Sequence, residues 1–351
     1  MRRGLLAAGA VAVTVLAAAC SSSAASSGSG SNSGSSAAPV TLRLGFLANV
    51  THAPALVGVD KDFFTQSLGK NVTLSVKIFS TGTEETTAIL AGQLDAAYVG
   101  PNPAINAWKK SSGTAIKIIS GAASGGASLV VKPGITSAAQ LKGKSLATPS
   151  LGNTQDVALR YWLKQHGLAT SQTGGGDVPI KPTTPNSAAV LEFKSGQIAG
   201  GWEPAPYDAE MVADGGTRLV NEASLWPSGQ FVTTNLVVTQ SFLKANPSAV
   251  NGLLKGQIQA NDYISKNQAA AETAANAELT KLTGKGLKSS ILAASFKEIT
   301  FTDDPIASSL SADAQHAEAV GLLKAVNLGG IYDLSPLNKL LTAAGESPVS
   351  S

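Results

Sequence analysis

The residues of this chain best placed to meet a ligand are small, polar and uncharged, and they gather in turns. "ANVTHAP" (48–54), "STGTEE" (80–85), "GPNPA" (100–104), "GAASGGA" (121–127), "PSLGNTQ" (149–155) and "WEPAP" (202–206) are rich in Gly, Ser, Thr, Asn and Gln. Most stand between a strand-like apolar run and a helix-like pattern. A helix begins with unpaired N–H groups and about half a positive charge, so such turns can hold an anion without arginine or lysine. The chemistry they suggest is binding rather than bond making. GxSxG, HExxH, CxxC and GxxxxGK[ST] are all missing, and three scattered histidines with one cysteine leave little for a transition-metal site. No catalytic residue, metal or cofactor is expected. "TDDP" (302–305) reads as solvated surface rather than as a pair of hydrolytic carboxylates.

Within these turns, Pro103 suits the first position of a helix, where its missing donor would have been unpaired anyway. Asn102 then falls at the N-cap, where it either satisfies the helix or turns its amide toward a ligand. Gly152 permits close backbone approach and Asn153 or Thr154 caps the long helical pattern that follows. His166 in the last turn of that pattern complements its carboxyl end, and His316 reads as a surface residue of a later helix. His52, in the first strand-to-helix turn, is the histidine placed near a ligand. Trp108 and Trp162 read as core, whereas Trp202 ends a strand at a cleft edge, where its indole can pack on an alkyl group. Phe231, beside "PSGQFVTTN", is a further candidate.

Strand and helix patterns alternate regularly from Thr41 onward, which argues for a parallel sheet with covering helices. "VTLSVKIF" has the period of a half-buried strand, "APALVGVDKDFF" reads as one short helix, and Thr83 reads as the cap before Glu84 and Glu85. A second series begins after "SGAASGGAS", with "SAAQLKG" as a helix, and residues 241 to 345 read as mostly helical. "GQLDAAYVGPNP" (92–103) also lines up with "GQIAGGWEPAP" (196–206), pairing Tyr98 with Trp202 and Pro101 and Pro103 with Pro204 and Pro206. Two lobes that each contain the same helix, strand, turn, helix unit would face one another across a cleft.

The amino-terminal region differs in composition. Arg2 and Arg3 precede an apolar run that stops at Cys20, the layout of a signal peptide over residues 1–19 and too short for a comfortable membrane span. Cys20, the only cysteine, resembles the acylated residue of a bacterial lipobox, although Ala17 stands where that motif usually has Leu. Residues 20–39, nearly all Ser, Gly and Ala, read as a lipid-anchored tether. Lys and Arg total 26, two of them in the leader, against 23 Asp and Glu. The mature body is therefore almost neutral, without the footprint of a nucleic-acid binder.

"THAPALVG", "GQLDAAYVGPNPAINAW", "GAASGGASLVVKPGI", "LKGKSLATPSLGNTQDVALRYWLKQHGL", "WPSGQFVTT" and "GIYDLSPLN" together resemble the sulfonate, nitrate and taurine substrate-binding lipoproteins of bacterial ABC importers. The resemblance covers Thr41 to Ala344. It implies a two-lobe α/β fold of the type II periplasmic-binding-protein class, with mostly parallel sheets and covering helices. Lobe 1 would comprise 40–123 and 226–351, and lobe 2 would comprise 124–225. It also implies a monomer on the outer face of the cell membrane that delivers a small organic sulfonate to an ABC permease. Another small anion such as nitrate, or a thiamine-precursor-like heterocycle stacked on Trp202, is the alternative; an enzyme on this scaffold lacks its constellations. The family's ligand shell would fall on Thr51, His52, Thr81, Thr83, Pro101, Asn102, Ser124, Gly125, Gly126, Asn153, Thr154, Trp202 and Glu203. Trp202, Glu203, Pro204 departs from the aliphatic-sulfonate pattern toward the taurine type. A carboxylate facing a sulfonate would repel it, so Glu203 points away, is held by backbone donors, or pairs with a cationic end such as taurine's ammonium.

Overall fold

The computed structural model describes residues 39–351; the leader, Cys20 and all but the last residue of the tether lie outside them. The chain runs from β1 (Val40–Leu47) through α1 (Ala53–Asp60), α2 (Phe63–Leu68), β2 (Val72–Phe79), α3 (Gly82–Leu90), β3 (Ala96–Val99) and α4 (Pro101–Lys110) to β4 (Ile116–Gly125). It then enters a second sheet through β5 (Ala127–Val131), followed by β6 (Leu146–Thr148), α5 (Thr154–Gln165), β7 (Ile180–Pro182), α6 (Asn186–Ser195), β8 (Gly200–Pro204), α7 (Tyr207–Ala213) and β9 (Thr217–Asn221). The return takes it to β10 (Val232–Thr239) in the first sheet. There follow α8 (Gln240–Ala245), α9 (Pro247–Lys266), α10 (Gln268–Thr283), α11 (Ser289–Lys297), β11 (Ile299–Phe301), α12 (Ala307–Ala319) and α13 (Ser335–Ala343).

The six-stranded sheet has the order β11-β4-β10-β3-β1-β2 and the five-stranded sheet β7-β6-β8-β5-β9. Both are mixed rather than mostly parallel. β1 pairs in parallel with β2 and β3, and β6 with β7 and β8, but β10 and β5 run antiparallel to their neighbours. The reason is connectivity. β5 and β10 are the strands by which the chain enters each lobe, so they run away from the junction while the strands beside them run toward it.

The repeated unit is real at the level of topology. α3-β3-α4 and α6-β8-α7 each place a strand between a parallel neighbour (β1; β6) and the antiparallel entering strand (β10; β5). Tyr98 and Trp202, matched in the sequence alignment, are both fully buried. Each buries a polar tip against a side-chain acceptor: Tyr98 donates to Gln257 Oε1 and the Trp202 indole to Glu222 Oε2.

Apolar clusters cover both faces of each sheet, so central strands are covered on both sides; all eight residues of β10 are buried. β2, at an edge, keeps the alternation that its sequence shows. Three local expectations are corrected. The first helical pattern breaks in two, with Asp62 at φ 57 between α1 and α2. "SAAQLKG" forms only the 3-10 turn Ala138–Leu141. In "TDDP", Asp304 is exposed, but the Asp303 carboxyl turns inward to Gln257 and Asn261, where burial pushes it up to about 6.

Candidate functional site

The turns singled out in the sequence meet where the two lobes abut. In the first lobe, the 3-10 turn Val50–His52 leads directly into α1. Its Val50 amide donates across the junction to the Ala205 carbonyl, 3.1 Å away, after β8 of the second lobe. Thr51 is buried against the chain crossing: a Cβ on Gly126 would lie 3.3 Å from its methyl group. His52 turns inward, its Nδ1 accepting from the Leu47 amide at 3.2 Å. Burial drives its pKa down to about 3, so His52 is neutral and adds no charge to the junction.

The start of α4 differs from its sequence reading. Gly100 is the N-cap, Pro101 the first helical residue, and Asn102 lies inside the first turn. The two prolines therefore remove two of the first amides, and among the first three helical residues only Asn102 keeps its N–H. The Asn102 side chain donates to the Asp313 carbonyl of α12 at 3.3 Å, and its Oδ1 is buried without a partner among the described residues. Gly100 is required by close approach: a Cβ there would stand 2.6 Å from the Thr154 hydroxyl of the second lobe.

α3 and α5 carry true side-chain caps. Thr81, not Thr83, caps α3, its hydroxyl accepting from the Glu84 amide at 3.1 Å. Thr83 sits two residues later, exposed, with its hydroxyl 3.5 Å from that of Ser150 of the opposite lobe. Of the two cap candidates Asn153 and Thr154, Asn153 caps α5, accepting from the Asp156 amide at 2.9 Å. Asp156 in turn holds the whole turn, accepting from the Gly152 amide, the Thr148 hydroxyl and the Arg160 guanidinium.

At the crossing, Gly125 and Gly126 have φ of 85 and 73, which favours glycine. Ser124 accepts from the Phe231 amide at 3.2 Å, so the outgoing and returning chains are tied together there. Phe231 is buried and stacks on Trp226.

Two candidates are corrected. Trp202 is fully covered inside the second lobe, edge-on to Trp162 with ring centroids 6.3 Å apart, and presents no face to the junction. Its indole belongs to the core because the hydrogen bond to Glu222 satisfies its only donor. Glu203, on the opposite face of β8, is also fully buried, and neither carboxyl oxygen has a partner among the described residues. Desolvation, with Asp208 adding repulsion, pushes its pKa well above the ordinary range, so burial disfavours the charged form. His166 caps α5 as read, but His316 is half-buried and stacked on Tyr161.

The structure adds buried polar residues that the sequence reading passed over. Thr234 and Asn235 on β10 are completely buried, with side-chain atoms that have no partner among the described residues. Their signal was available in "FVTTNLVV", where three polar residues interrupt a buried strand. Glu222 and Asp313, each buried with one unpartnered oxygen, carried no such signal. Burial pushes Glu222 up to about 7, offset in part by Trp202 and by the nearby Trp226.

The model of the NMT1-like family matches residues 35–278. Over 244 residues, 65% of this chain and 73% of the relative, the sequence is 27% identical to a Brucella abortus protein named as a candidate binding protein. Among solved structures, the alkanesulfonate-binding protein SsuA from Xanthomonas axonopodis pv. citri, bound to MOPS, superposes with a TM-score of 0.67. It is 18% identical, and the match covers 82% of this chain and 96% of that one. The periplasmic nitrate-binding protein NrtA from Synechocystis PCC 6803 superposes at 0.73 with 16% identity, covering 87% of this chain and 89% of its own. The fold is thus the two-lobe periplasmic-binding-protein architecture. With the family match spanning well over half the chain and the topology agreeing, this protein belongs to the NMT1-like family.

Proposed function

We propose that this protein is the extracytoplasmic solute-binding component of an ABC importer, holding a small organic sulfonate between its lobes and passing it to a membrane permease without chemical change. The observation that carries the reading is the meeting of neutral polar turns from both lobes, Thr51 and His52, Thr81 and Thr83, Gly100 to Asn102, and Asn153 with Thr154, around the paired glycines of the crossing. Those side chains include no arginine or lysine, and His52 is uncharged. An anion held there would be stabilised by amide dipoles and hydroxyls rather than by ion pairs.

Glu203 is fully buried and its charged form is disfavoured by desolvation, which lessens the repulsion that its sequence position suggested and supports a reading without a zwitterion. The burial of Trp202 removes the stacking surface on which the heterocycle alternative rested. Sulfonate binding by a fold neighbour supports the ligand class. Anchoring through acylated Cys20, export by the 1–19 leader and a monomeric state complete the proposal. Calorimetric titration with ethanesulfonate, taurine and nitrate tests it: one of the sulfonates binds with 1:1 stoichiometry and is recovered unchanged. Nitrate alone binding, or turnover of the sulfonate, overturns it.

A further inference from the structure

Between α5, α12 and the segment that returns the chain to the first lobe lies a cavity of about 310 Å³. It shares no lining residue with the turns described above. Its walls are aromatic. The Tyr161 ring stacks on His316 with centroids 3.8 Å apart, Trp226 stands 5.4 Å from His316, and Trp162 closes another side. These rings are braced from behind: Trp226 stacks on Phe231 at 5.5 Å, and Trp162 packs edge-on against Trp202. At the rim, Leu225 is 50% exposed.

Gln165 and His166 at the end of α5 add polar groups to the lining, and Glu222 is its one carboxyl group. Glu222 Oε2 accepts from the Trp202 indole at 2.7 Å, while Oε1 is buried with no hydrogen-bond partner among the described residues. Trp226 lies close enough to favour the charged form, yet only the Trp202 contact has hydrogen-bond geometry. Asp313, buried behind the cavity wall, lies within electrostatic reach of Glu222; burial and that neighbour push its pKa well above the ordinary range, so the carboxyl acceptor facing the guest is Glu222 alone. A buried acceptor without a donor is costly, and aromatic faces attract cations. Both needs are met by one kind of guest.

We propose that this cavity is a second ligand site, which takes a planar aromatic or heteroaromatic cation whose N–H groups donate to Glu222 while its ring packs among Tyr161, Trp226 and His316. The volume lies at the lower end of small-molecule sites, about 300–1,000 Å³, so the occupant is one ring with a short substituent rather than a fused system. The site is independent of the sulfonate reading, since neither the residues nor the charge type coincide.

The test uses benzamidine as the probe and benzoate as its charge-reversed counterpart, each titrated calorimetrically into the full chain. Benzamidine is expected to bind 1:1, and benzoate about tenfold or more weakly. Glu222→Gln is expected to weaken benzamidine about tenfold or more, the range for a lost hydrogen bond to a charged group. Leu225→Trp, at the exposed rim and away from the packed interior, is expected to fill the mouth and abolish binding. Thermal unfolding midpoints verify that each variant is folded, and Leu225→Trp stands as the deciding variant if Glu222→Gln is not. No benzamidine binding to the unaltered protein, equal binding of benzoate, or unchanged affinity in the folded variants overturns the site.

Discussion

At the scale of residues, the buried titratable groups decide how the junction behaves with pH. His52 has a folded pKa of about 3 against an ordinary value near 6.5, so the unfolded chain binds more protons between those limits. Its contribution to stability is complete above pH 6.5 and is lost as pH falls toward 3. His52→Asn keeps an acceptor for the Leu47 amide and removes the titration. Between pH 6.5 and 5 the unaltered protein is expected to lose about 2 kcal/mol more than this variant, read from denaturant midpoints. Equal losses would show that His52 is protonated in place. Glu203 is fully buried and burial disfavours its charged form, so Glu203→Gln is expected to change taurine and ethanesulfonate affinities equally; a selective loss of taurine in calorimetry would mean that an ionised Glu203 meets the ligand's ammonium. Trp202→Phe strips Glu222 of its hydrogen-bonded partner and is expected to cost about 1–3 kcal/mol, with sulfonate affinity unchanged.

At the scale of elements, the start of α5 and the crossing strand are the parts that place the site. Asp156 joins three donors at the α5 turn, and its Arg160 partner is buried to the same degree. Removing one member of a buried pair leaves an uncompensated charge, so Asp156→Ala is expected to cost about 3–5 kcal/mol by chemical denaturation. The loosened Asn153–Thr154 turn should weaken ligand binding in the same variant. Gly125 has φ 85, and a Cβ there would lie 2.6 Å from the Glu298 carbonyl oxygen. Gly125→Ala therefore meets both left-handed strain and a backbone clash, and an expected loss of about 2 kcal/mol or more follows. A thermal midpoint that matched the native protein would show that the crossing relaxes freely.

At the scale of the whole molecule, ligand binding and folding are linked. A sulfonate at a hundredfold excess over its dissociation constant is expected to add about 2.7 kcal/mol to stability, seen as a higher unfolding midpoint. Hinge motion at Gly125–Gly126 and the Asn221–Val232 return is expected to make the ligand-free protein larger in solution scattering; identical profiles with and without sulfonate would rule that motion out. The sequence by itself determined most of the strand and helix alternation, the period of β2, a cap at Asn153 or Thr154 and the duplicated helix, strand, helix unit, because each depends on residues a few positions apart; it passed over the short strands β7 and β11. It could not determine that Asn102 turns toward Asp313, that Trp202 is core, that Glu203 is buried without a partner among the described residues or that both sheets are mixed. Those outcomes depend on which distant segments cover a group, and so on desolvation and long-range partners. Only the folded chain brings these together.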